Sequence, residues 1–173
     1  DADLRCPKLH VINGVSNLCG LSSLLTSKDL DQKLIDQAIH KGIGNNLDLL
    51  PSGPTVLNPT NLFASAEMRS LMESLRGTYS HIIIDSPPVL YFADSVILAT
   101  CVDAIVIIAR ANFSSRDVLL RAKKKVLEVN GNVVGIVLND VPLNNYKYYD
   151  NNYYTQREQA NSDEFPDTYL GLN

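Results

Sequence analysis

The stretch His81-Ile82-Ile83-Ile84-Asp85-Ser86-Pro87-Pro88-Val89 decides how the rest of the chain is interpreted. Its three consecutive isoleucines predict a strand that is buried on both faces, as in a parallel sheet covered by helices. The acid, the hydroxyl and the two prolines that follow must end this strand. In open α/β sheets, ligands bind beyond the carboxyl ends of the strands. Asp85 therefore lies where a metal-bound phosphate could bind and is a candidate ligand of the metal ion, although a carboxylate at this position can also simply cap the next segment.

Further apolar runs alternate with segments of helical periodicity along the chain. The runs at residues 104–109 and 133–138 predict two more strands buried on both faces, and residues 47–50 predict a short strand. The predicted helices are at residues 17–25, 29–41, 65–76, 93–100 and from Ser114 or Ser115 to 129, and residues 55–61 are predicted as a loop. Strands that alternate with helices imply crossovers and a parallel sheet. The predicted fold class is α/β, doubly wound, with a mostly parallel sheet.

The composition of the chain changes after Pro142. Residues 144–154 are rich in Asn and Tyr and contain no aliphatic residue. Such a segment cannot bury enough apolar surface to offset the entropy lost on ordering. We therefore predict a folded domain at residues 1–142 and a flexible, tyrosine-rich tail at residues 143–173.

The bulk composition excludes several classes of function. The formal net charge of −4 gives no electrostatic case for binding nucleic acid. The three cysteines are far apart and form no C-x-x-C pair, which argues against a zinc site or a disulfide scaffold and favours a cytosolic protein. The longest apolar stretch, residues 96–111, is interrupted by polar residues and is too short to span a bilayer.

Three stretches together resemble a known family. Asp1-Ala2-Asp3-Leu4-Arg5 matches an acidic motif often called Walker A′. Leu50-Pro51-Ser52-Gly53-Pro54, followed by Asn58-Pro59-Thr60-Asn61-Leu62, matches a connector L-P-x-G-P…N-P-x-E-L, except that Asn61 replaces the usual acid. The stretch that ends in Asp85 matches a Walker B strand. This combination resembles the P-loop tyrosine kinases of bacterial capsule and exopolysaccharide synthesis.

The resemblance implies an ATP- and Mg²⁺-dependent phosphoryl transfer and assigns roles to the acids. Asp85 would bind the metal directly or through water, Asp3 would support the metal shell, and Asp1 would orient or deprotonate the incoming tyrosine hydroxyl. Arg5 would hold an acid or a phosphate through its planar fork, with a surface ion pair as the alternative. Asn139 would contact the adenine edge, or else only form a turn. For Asp94, which lies near the same edge, we prefer a helix cap.

The resemblance also implies that the tail is the substrate. Its candidate phosphorylation sites are the clustered tyrosines Tyr146, Tyr148, Tyr149, Tyr153 and Tyr154. We expect phosphorylation in trans within a ring-like oligomer, in which the phosphates add roughly −8 to −10 charges and drive the subunits apart. The implied partners are a membrane polysaccharide co-polymerase or activator, fused or separate, and a tyrosine phosphatase. The domain would work on the cytoplasmic side, attached to or recruited by the membrane.

One part of the family pattern is absent from these residues. The phosphate-binding loop G-x-x-x-x-G-K-[ST] does not occur in the sequence, so we expect the 173 residues alone to bind ATP negligibly and to be inactive, and we expect the loop upstream of Asp1. Two other functions stay open. A partitioning or septum-site ATPase would explain the sheet and Asp85 but not the tyrosines, and a module without a phosphate loop could serve a transporter as a non-catalytic partner.

Overall fold

The computed structural model describes residues 1–27 and 30–142, which contain both helices and strands. The helices are α1 (Leu9–Ile12), α2 (Leu21–Thr26), α3 (Gln32–Ala38), α4 (Pro59–Phe63), α5 (Ala66–Arg76), α6 (Asp94–Leu98) and α7 (Arg116–Leu127). The strands are β1 (His40–Gly44), β2 (Leu47–Leu49), β3 (Ile105–Arg110) and β4 (Val133–Asn139). The α/β class is confirmed.

Strands β3 and β4 form a parallel pair that is connected by α7. Ile107 lies opposite Ile136, and Arg110 lies opposite Asn139. Helix α7 begins because the Ser115 hydroxyl accepts a hydrogen bond from the Val118 backbone N–H, the usual role of a serine N-cap. The predicted β-α-β unit is therefore confirmed in this part of the chain.

Burial on both faces is wrong for these two strands. Ile107 and Ala109 are buried on the face that α7 covers, whereas Val106 and Ile108 are 50% and 63% exposed. In β4, Leu138 is 55% exposed. Within residues 1–27 and 30–142, the apolar opposite face of the pair has no covering element, so its side chains remain accessible.

The isoleucine stretch does not form a strand in the described part of the chain. Residues 81–88 are not paired in a sheet, and Ile83 is 89% exposed while Ile82 and Ile84 are half-buried. A strand needs a neighbour to satisfy its backbone donors and acceptors. Here the Asp85 carbonyl accepts one hydrogen bond, from the Ala2 N–H, at 2.8 Å. The described residues form two two-stranded sheets, so a doubly wound sheet is not what they show.

A β-hairpin replaces the end of the predicted 29–41 helix. Strands β1 and β2 pair antiparallel, with Asn46 in a left-handed conformation (φ 54°) in the turn between them. The sequence signal is weak because two glycines occupy β1, and glycine is disfavoured in strands. The Asp48 carboxylate stabilises the hairpin by accepting from the Gly42 N–H at 2.8 Å and from the Tyr79 hydroxyl at 2.8 Å.

Of the predicted loop at residues 55–61, residues 55–58 are non-helical as expected, whereas residues 59–61 belong to helix α4. Pro59 occupies the first turn of α4, where its missing N–H would have no helical partner anyway and its fixed φ favours the helix. Helix α5 itself begins and ends close to the predicted bounds, with the Ser65 hydroxyl accepting from the Met68 N–H. Its buried side chains are Met68, Leu71, Met72 and Leu75.

The N-terminal five residues are anchored in the main core. Ala2 and Leu4 are 1% and 4% exposed and pack in the same cluster as Leu24 and Phe63. Asp1, Asp3 and Arg5 alternate with them in the sequence and are less buried. Burial of Ala2 and Leu4 therefore leaves the three charged side chains outside the apolar cluster, where they form polar contacts.

Candidate functional site

Two backbone hydrogen bonds place the Asp1–Arg5 segment between two other parts of the chain. The backbone nitrogen of Asp1 donates to the Leu50 carbonyl at 2.8 Å. The Ala2 N–H donates to the Asp85 carbonyl at 2.8 Å. Because Ala2 separates Asp1 from Asp3, this second bond holds the backbone of both acids close to the backbone of Asp85.

The Asp1 carboxylate is held by backbone donors at the start of α1. One of its oxygens accepts from the N–H groups of Lys8 and Leu9, at 3.1 and 3.0 Å. The other accepts from the Asp3 N–H at 3.2 Å. A carboxylate with this many backbone partners has little freedom to rotate, so Asp1 is fixed in orientation.

Asp3 and Asp85 have oxygens that remain accessible. One oxygen of Asp3 accepts from the N–H groups of Arg5 and Cys6, at 3.1 and 2.9 Å. Asp85 is exposed, and its carboxylate has no hydrogen-bond partner within the part of the chain that the structure describes. Both residues can therefore offer oxygen ligands to an ion without breaking the local structure.

These donors fit Mg²⁺ better than a metal that needs a complete protein cage. Among residues 1–27 and 30–142, no three His, Cys, Asp or Glu side chains are grouped to hold a metal. Mg²⁺ prefers oxygen ligands and is commonly bound by one or two carboxylates, with water and substrate phosphates as the remaining ligands. Asp85 and Asp3 match that pattern.

Arg5 is bound to Asp94. Its Nε donates to Asp94 Oδ2 at 2.6 Å, its Nη2 to Oδ1 at 3.3 Å, and its guanidinium lies 4.4 Å from the centre of the Phe92 ring. The Thr60 hydroxyl donates to the same Asp94 carboxylate at 2.5 Å. Of the two roles open to Arg5, holding an acid is the one seen here. The cap of α6 is Ala93, so the prediction that Asp94 caps a helix is wrong.

The first two residues of helix α6 form hydrogen bonds to the two segments that carry Asp3 and Asp85. Asp94 binds Arg5, two residues after Asp3, and the Ser95 hydroxyl donates to the Pro87 carbonyl, two residues after Asp85. Asp94 is 1% exposed. Burial opposes the charge of Asp94, but the hydrogen bonds from Arg5 and Thr60 outweigh it and hold the pKa of this carboxyl below its usual value.

We expect Asp94→Asn to destabilise the protein in a pH-dependent way. The substitution removes the charge that Arg5 and Thr60 stabilise and leaves the guanidinium without its partner. Because the folded pKa of Asp94 is lowered from 3.8, the stabilisation is complete above that pH and is lost as the pH falls through the lowered folded pKa. The difference in melting temperature between wild type and variant, followed by circular dichroism, should therefore shrink on acidification.

Asp103→Asn is the matched control for this experiment. Asp103 also pairs with an arginine, Arg76, at 3.4 Å, but its side chain is 92% exposed. Exposed ion pairs contribute little to stability. A melting temperature that falls equally in both variants, or a difference for Asp94→Asn that persists at the lowest pH, would contradict the role given to the buried pair.

Asn139 lies at the carboxyl end of β4. Its backbone carbonyl accepts from the Ala111 N–H at 2.8 Å, and its side chain is exposed. The next residue, Asp140, has a left-handed backbone (φ 56°) and binds Arg110 at 2.8 Å. Asn139 thus stands at a turn with its amide accessible, which is compatible with either of its predicted roles.

The tyrosine sites fall outside the residues that the structure describes. Tyr146, Tyr148, Tyr149, Tyr153 and Tyr154 all lie in residues 143–173, as does the predicted tail. They therefore stay predictions.

The structural importance of Asp94 and Thr60 could not be recognised from the sequence. Thr60 stands in the connector motif, where a threonine has many possible roles. A buried acid has no sequence signature of its own, because its burial depends on a partner 89 positions away, Arg5. The pair of Arg5 and Asp94 becomes evident only in the structure, where α6 contacts the N-terminal segment.

Known proteins similar to this chain are tyrosine-protein kinases of bacteria. Tyrosine-protein kinase CpsD of Streptococcus agalactiae is 30% identical over 161 residues, covering 92% of this chain and 68% of CpsD. Tyrosine-protein kinase YwqD of Bacillus subtilis is 30% identical over 149 residues, covering 86% of this chain. The chain spans less than two thirds of that relative, 61% of its length.

A solved structure supports the same relationship. The kinase domain of the Escherichia coli tyrosine kinase ETK matches with a TM-score of 0.75 and 30% identity, over 82% of this chain and 54% of that domain. No protein-family model matches the chain.

Proposed function

Because the chain belongs to the bacterial tyrosine-protein kinase family, we propose that the protein transfers the γ-phosphoryl group of ATP to tyrosine hydroxyls. The observation that supports this most directly is the hydrogen bond from the Ala2 N–H to the Asp85 carbonyl. It sets two acidic motifs side by side, and phosphoryl transfer needs carboxylates for both a metal ion and a hydroxyl nucleophile.

Each acid has a proposed role that follows from its surroundings. Asp85 and Asp3, whose oxygens are accessible, hold Mg²⁺, which neutralises charge on the phosphates when bound. Asp1 is fixed by backbone donors at both oxygens, so it is suited to orient the tyrosine hydroxyl or accept its proton. Orientation matters because a base must lie within hydrogen-bond reach of the proton it removes.

Two further residues have proposed contacts with ATP. The exposed side-chain amide of Asn139, at the end of β4, contacts the adenine edge. Arg5 keeps part of its guanidinium free, since only Nε and Nη2 donate to Asp94 and Thr60, and its side chain is 33% exposed. We propose that Nη1 contacts a phosphate while the rest of the fork stays on Asp94.

The proposed substrates are the tyrosines of residues 143–173. We propose that they are phosphorylated in trans in an oligomer, that a membrane-bound polysaccharide co-polymerase or activator recruits the protein to the cytoplasmic face of the membrane, and that a tyrosine phosphatase reverses the reaction. Within the described residues, none of the helices combines the length and apolarity that crossing a bilayer requires.

Mass spectrometry of the protein as its gene encodes it, incubated with ATP and Mg²⁺, tests this function. We expect phosphate on Tyr146, Tyr148, Tyr149, Tyr153 and Tyr154, because they are clustered in one segment, and no phosphate when EDTA removes the metal. Tyr91, which is 80% exposed in the described domain, serves as the internal control and should stay unmodified.

Two outcomes would contradict the proposal. Release of inorganic phosphate without any phosphotyrosine would favour a partitioning-type ATPase. Absence of both ATP hydrolysis and phosphotyrosine, in a preparation shown by circular dichroism to be folded, would favour a non-catalytic module.

A further inference from the structure

Helix α7 carries an outward stripe that contains both leucines and cations. Its members follow the helical spacing i, i+4, i+7, i+8 and i+11 and will be called the α7 face: Arg116, Leu120, Lys123, Lys124 and Leu127. All five are exposed, and Leu120 and Leu127 are 48% and 49% accessible. The opposite side of the helix, with Ala122 and Val126, packs on the sheet. A second amphipathic stripe on a helix that already has a buried one requires an explanation.

The cations of this face are not used in strong ion pairs. Lys124 approaches Glu128 at 4.0 Å, with both side chains largely exposed. Arg116 and Lys123 have no ion-pair partner within residues 1–27 and 30–142. Helix α7 as a whole contains five of the 15 lysines and arginines of the chain and one acid, Asp117. The face is therefore a concentrated positive surface on an acidic protein.

The described chain ends next to the start of this helix. Pro142 lines an open pocket together with Arg110, Phe113 and Asp140, and residues 110–113 lead directly into α7. Residues 146–154 follow Pro142 by four to twelve positions, so an extended chain carries them up to about 13 to 40 Å away. Helix α7 is only about 18 Å long. The clustered tyrosines can therefore reach the α7 face of their own chain, and the most distant of them, Tyr153 and Tyr154, have enough reach to span its whole length.

Phosphorylation reverses the charge of this segment. Residues 143–157 contain one acid, Asp150, and two bases, Lys147 and Arg157, so they are weakly positive without phosphate. Five phosphotyrosines add roughly −8 to −10 charges, which makes the same residues strongly negative. The positive α7 face would repel the first form weakly and attract the second strongly.

We propose that the α7 face binds residues 143–157 of its own chain once their tyrosines are phosphorylated. The inference rests on the proposed kinase function for the source of the phosphates. Phosphates pair with Arg116, Lys123 and Lys124, while the tyrosine rings pack on the leucines, so one stripe satisfies both parts of a phosphotyrosine. A basic surface without leucines would bind the phosphates but would offer no apolar contact to the tyrosine rings.

This docking gives phosphorylation a second effect besides repulsion between subunits. A tethered ligand acts at a high effective concentration, so even a weak contact is occupied. A modified segment held on the α7 face of its own chain is no longer offered to the acidic site of a neighbour. The site would then act on unmodified segments in preference to phosphorylated ones.

The test uses the 173-residue chain and synthetic peptides of residues 143–157, with five phosphotyrosines or none. Because the phosphates are made chemically, the result does not depend on any kinase activity of the chain. We expect fluorescence anisotropy to show at least ~10-fold tighter binding of the phosphorylated peptide, weakening as salt is raised. Arg116→Gln/Lys123→Gln should lose most of this binding.

The matched control is Arg69→Gln/Lys33→Gln. It removes one arginine and one lysine from exposed positions on α5 and α3, so it changes the net charge equally, and both variants are checked by circular dichroism. Equal loss of binding in the two double variants would overturn the proposal by showing general electrostatics. Equal affinity for the two peptides would also overturn it.

One further experiment tests whether the partner of the α7 face is a lipid surface and not the phosphorylated segment. Vesicles containing phosphatidylserine are mixed with wild type and with Arg116→Gln/Lys123→Gln in a sedimentation experiment. Vesicle binding that depends on these two cations, combined with no binding of the phosphopeptide, would assign the α7 face to a membrane and overturn the proposal. If phosphopeptide binding succeeds while mass spectrometry finds no phosphotyrosine made by the protein, the proposed kinase function fails and the docking surface stands.

Discussion

We expect Asp85→Asn to reduce tyrosine phosphorylation by roughly a hundredfold or more while the protein remains folded. The magnitude follows from the several kcal/mol that a metal ion contributes to charge stabilisation, with about 1.4 kcal/mol for each factor of ten in rate. Asparagine keeps the shape of the side chain but lacks the charge that a metal ligand supplies. The fold should not change, because the Asp85 contact that matters structurally is its backbone carbonyl.

The measurement is the initial rate of phosphotyrosine formation by the gene-encoded protein at several Mg²⁺ concentrations. Asp36→Asn is the control. Asp36 is an exposed acid on α3 whose carboxylate accepts a hydrogen bond from the Gln32 side chain. We expect the control to retain wild-type rates. A rate for Asp85→Asn within tenfold of wild type at saturating Mg²⁺ would remove Asp85 from the proposed metal site.

Phe63→Ala lowers the free energy of unfolding by about 3–5 kcal/mol, the usual cost of deleting a fully buried ring. Phe63 is 1% exposed and belongs to the main core. Helix α4, which ends with this residue, packs against α2, α5 and α6. A cavity there would therefore loosen the contact between α4 and the helix that carries Asp94.

Urea unfolding followed by circular dichroism gives the free energy, with Phe113→Ala as the control. Phe113 is 80% exposed, and the Arg110 guanidinium lies 5.8 Å from the centre of its ring. An exposed cation–π contact contributes about 0.5–1 kcal/mol. If both variants lost the same stability, the assignment of Phe63 to the core would be wrong.

Local signals in the sequence were sufficient where neighbouring residues determine the structure. Ser65 and the stripe Met68, Leu71, Met72 and Leu75 predict α5 because a cap and a periodic apolar face both act within a few residues. The parallel β3–α7–β4 unit follows in the same way. The three motifs predict the bacterial tyrosine kinase family, and the similarity to CpsD confirms it.

Features that depend on distant partners were missed. Three isoleucines predict a buried strand, yet a strand exists only where another strand pairs with it, and the described residues supply none beside Ile83. The β1–β2 hairpin depends on the carboxylate of Asp48 holding the Gly42 N–H, a contact that periodicity does not encode. The burial of the Asp94 carboxylate likewise depends on its ion pair with Arg5, which is distant in the sequence.

The alternation of buried and outward residues in Asp1–Arg5 has a consequence for how this site tolerates mutation. Ala2 is 1% exposed and packs in the main core, so we expect a larger residue there to push the backbone that carries Asp1 and Asp3. We expect such a change to abolish the proposed chemistry although neither acid is altered. The geometry of the site therefore depends on a residue with no polar side chain, and laboratory libraries that vary only charged positions would overlook it.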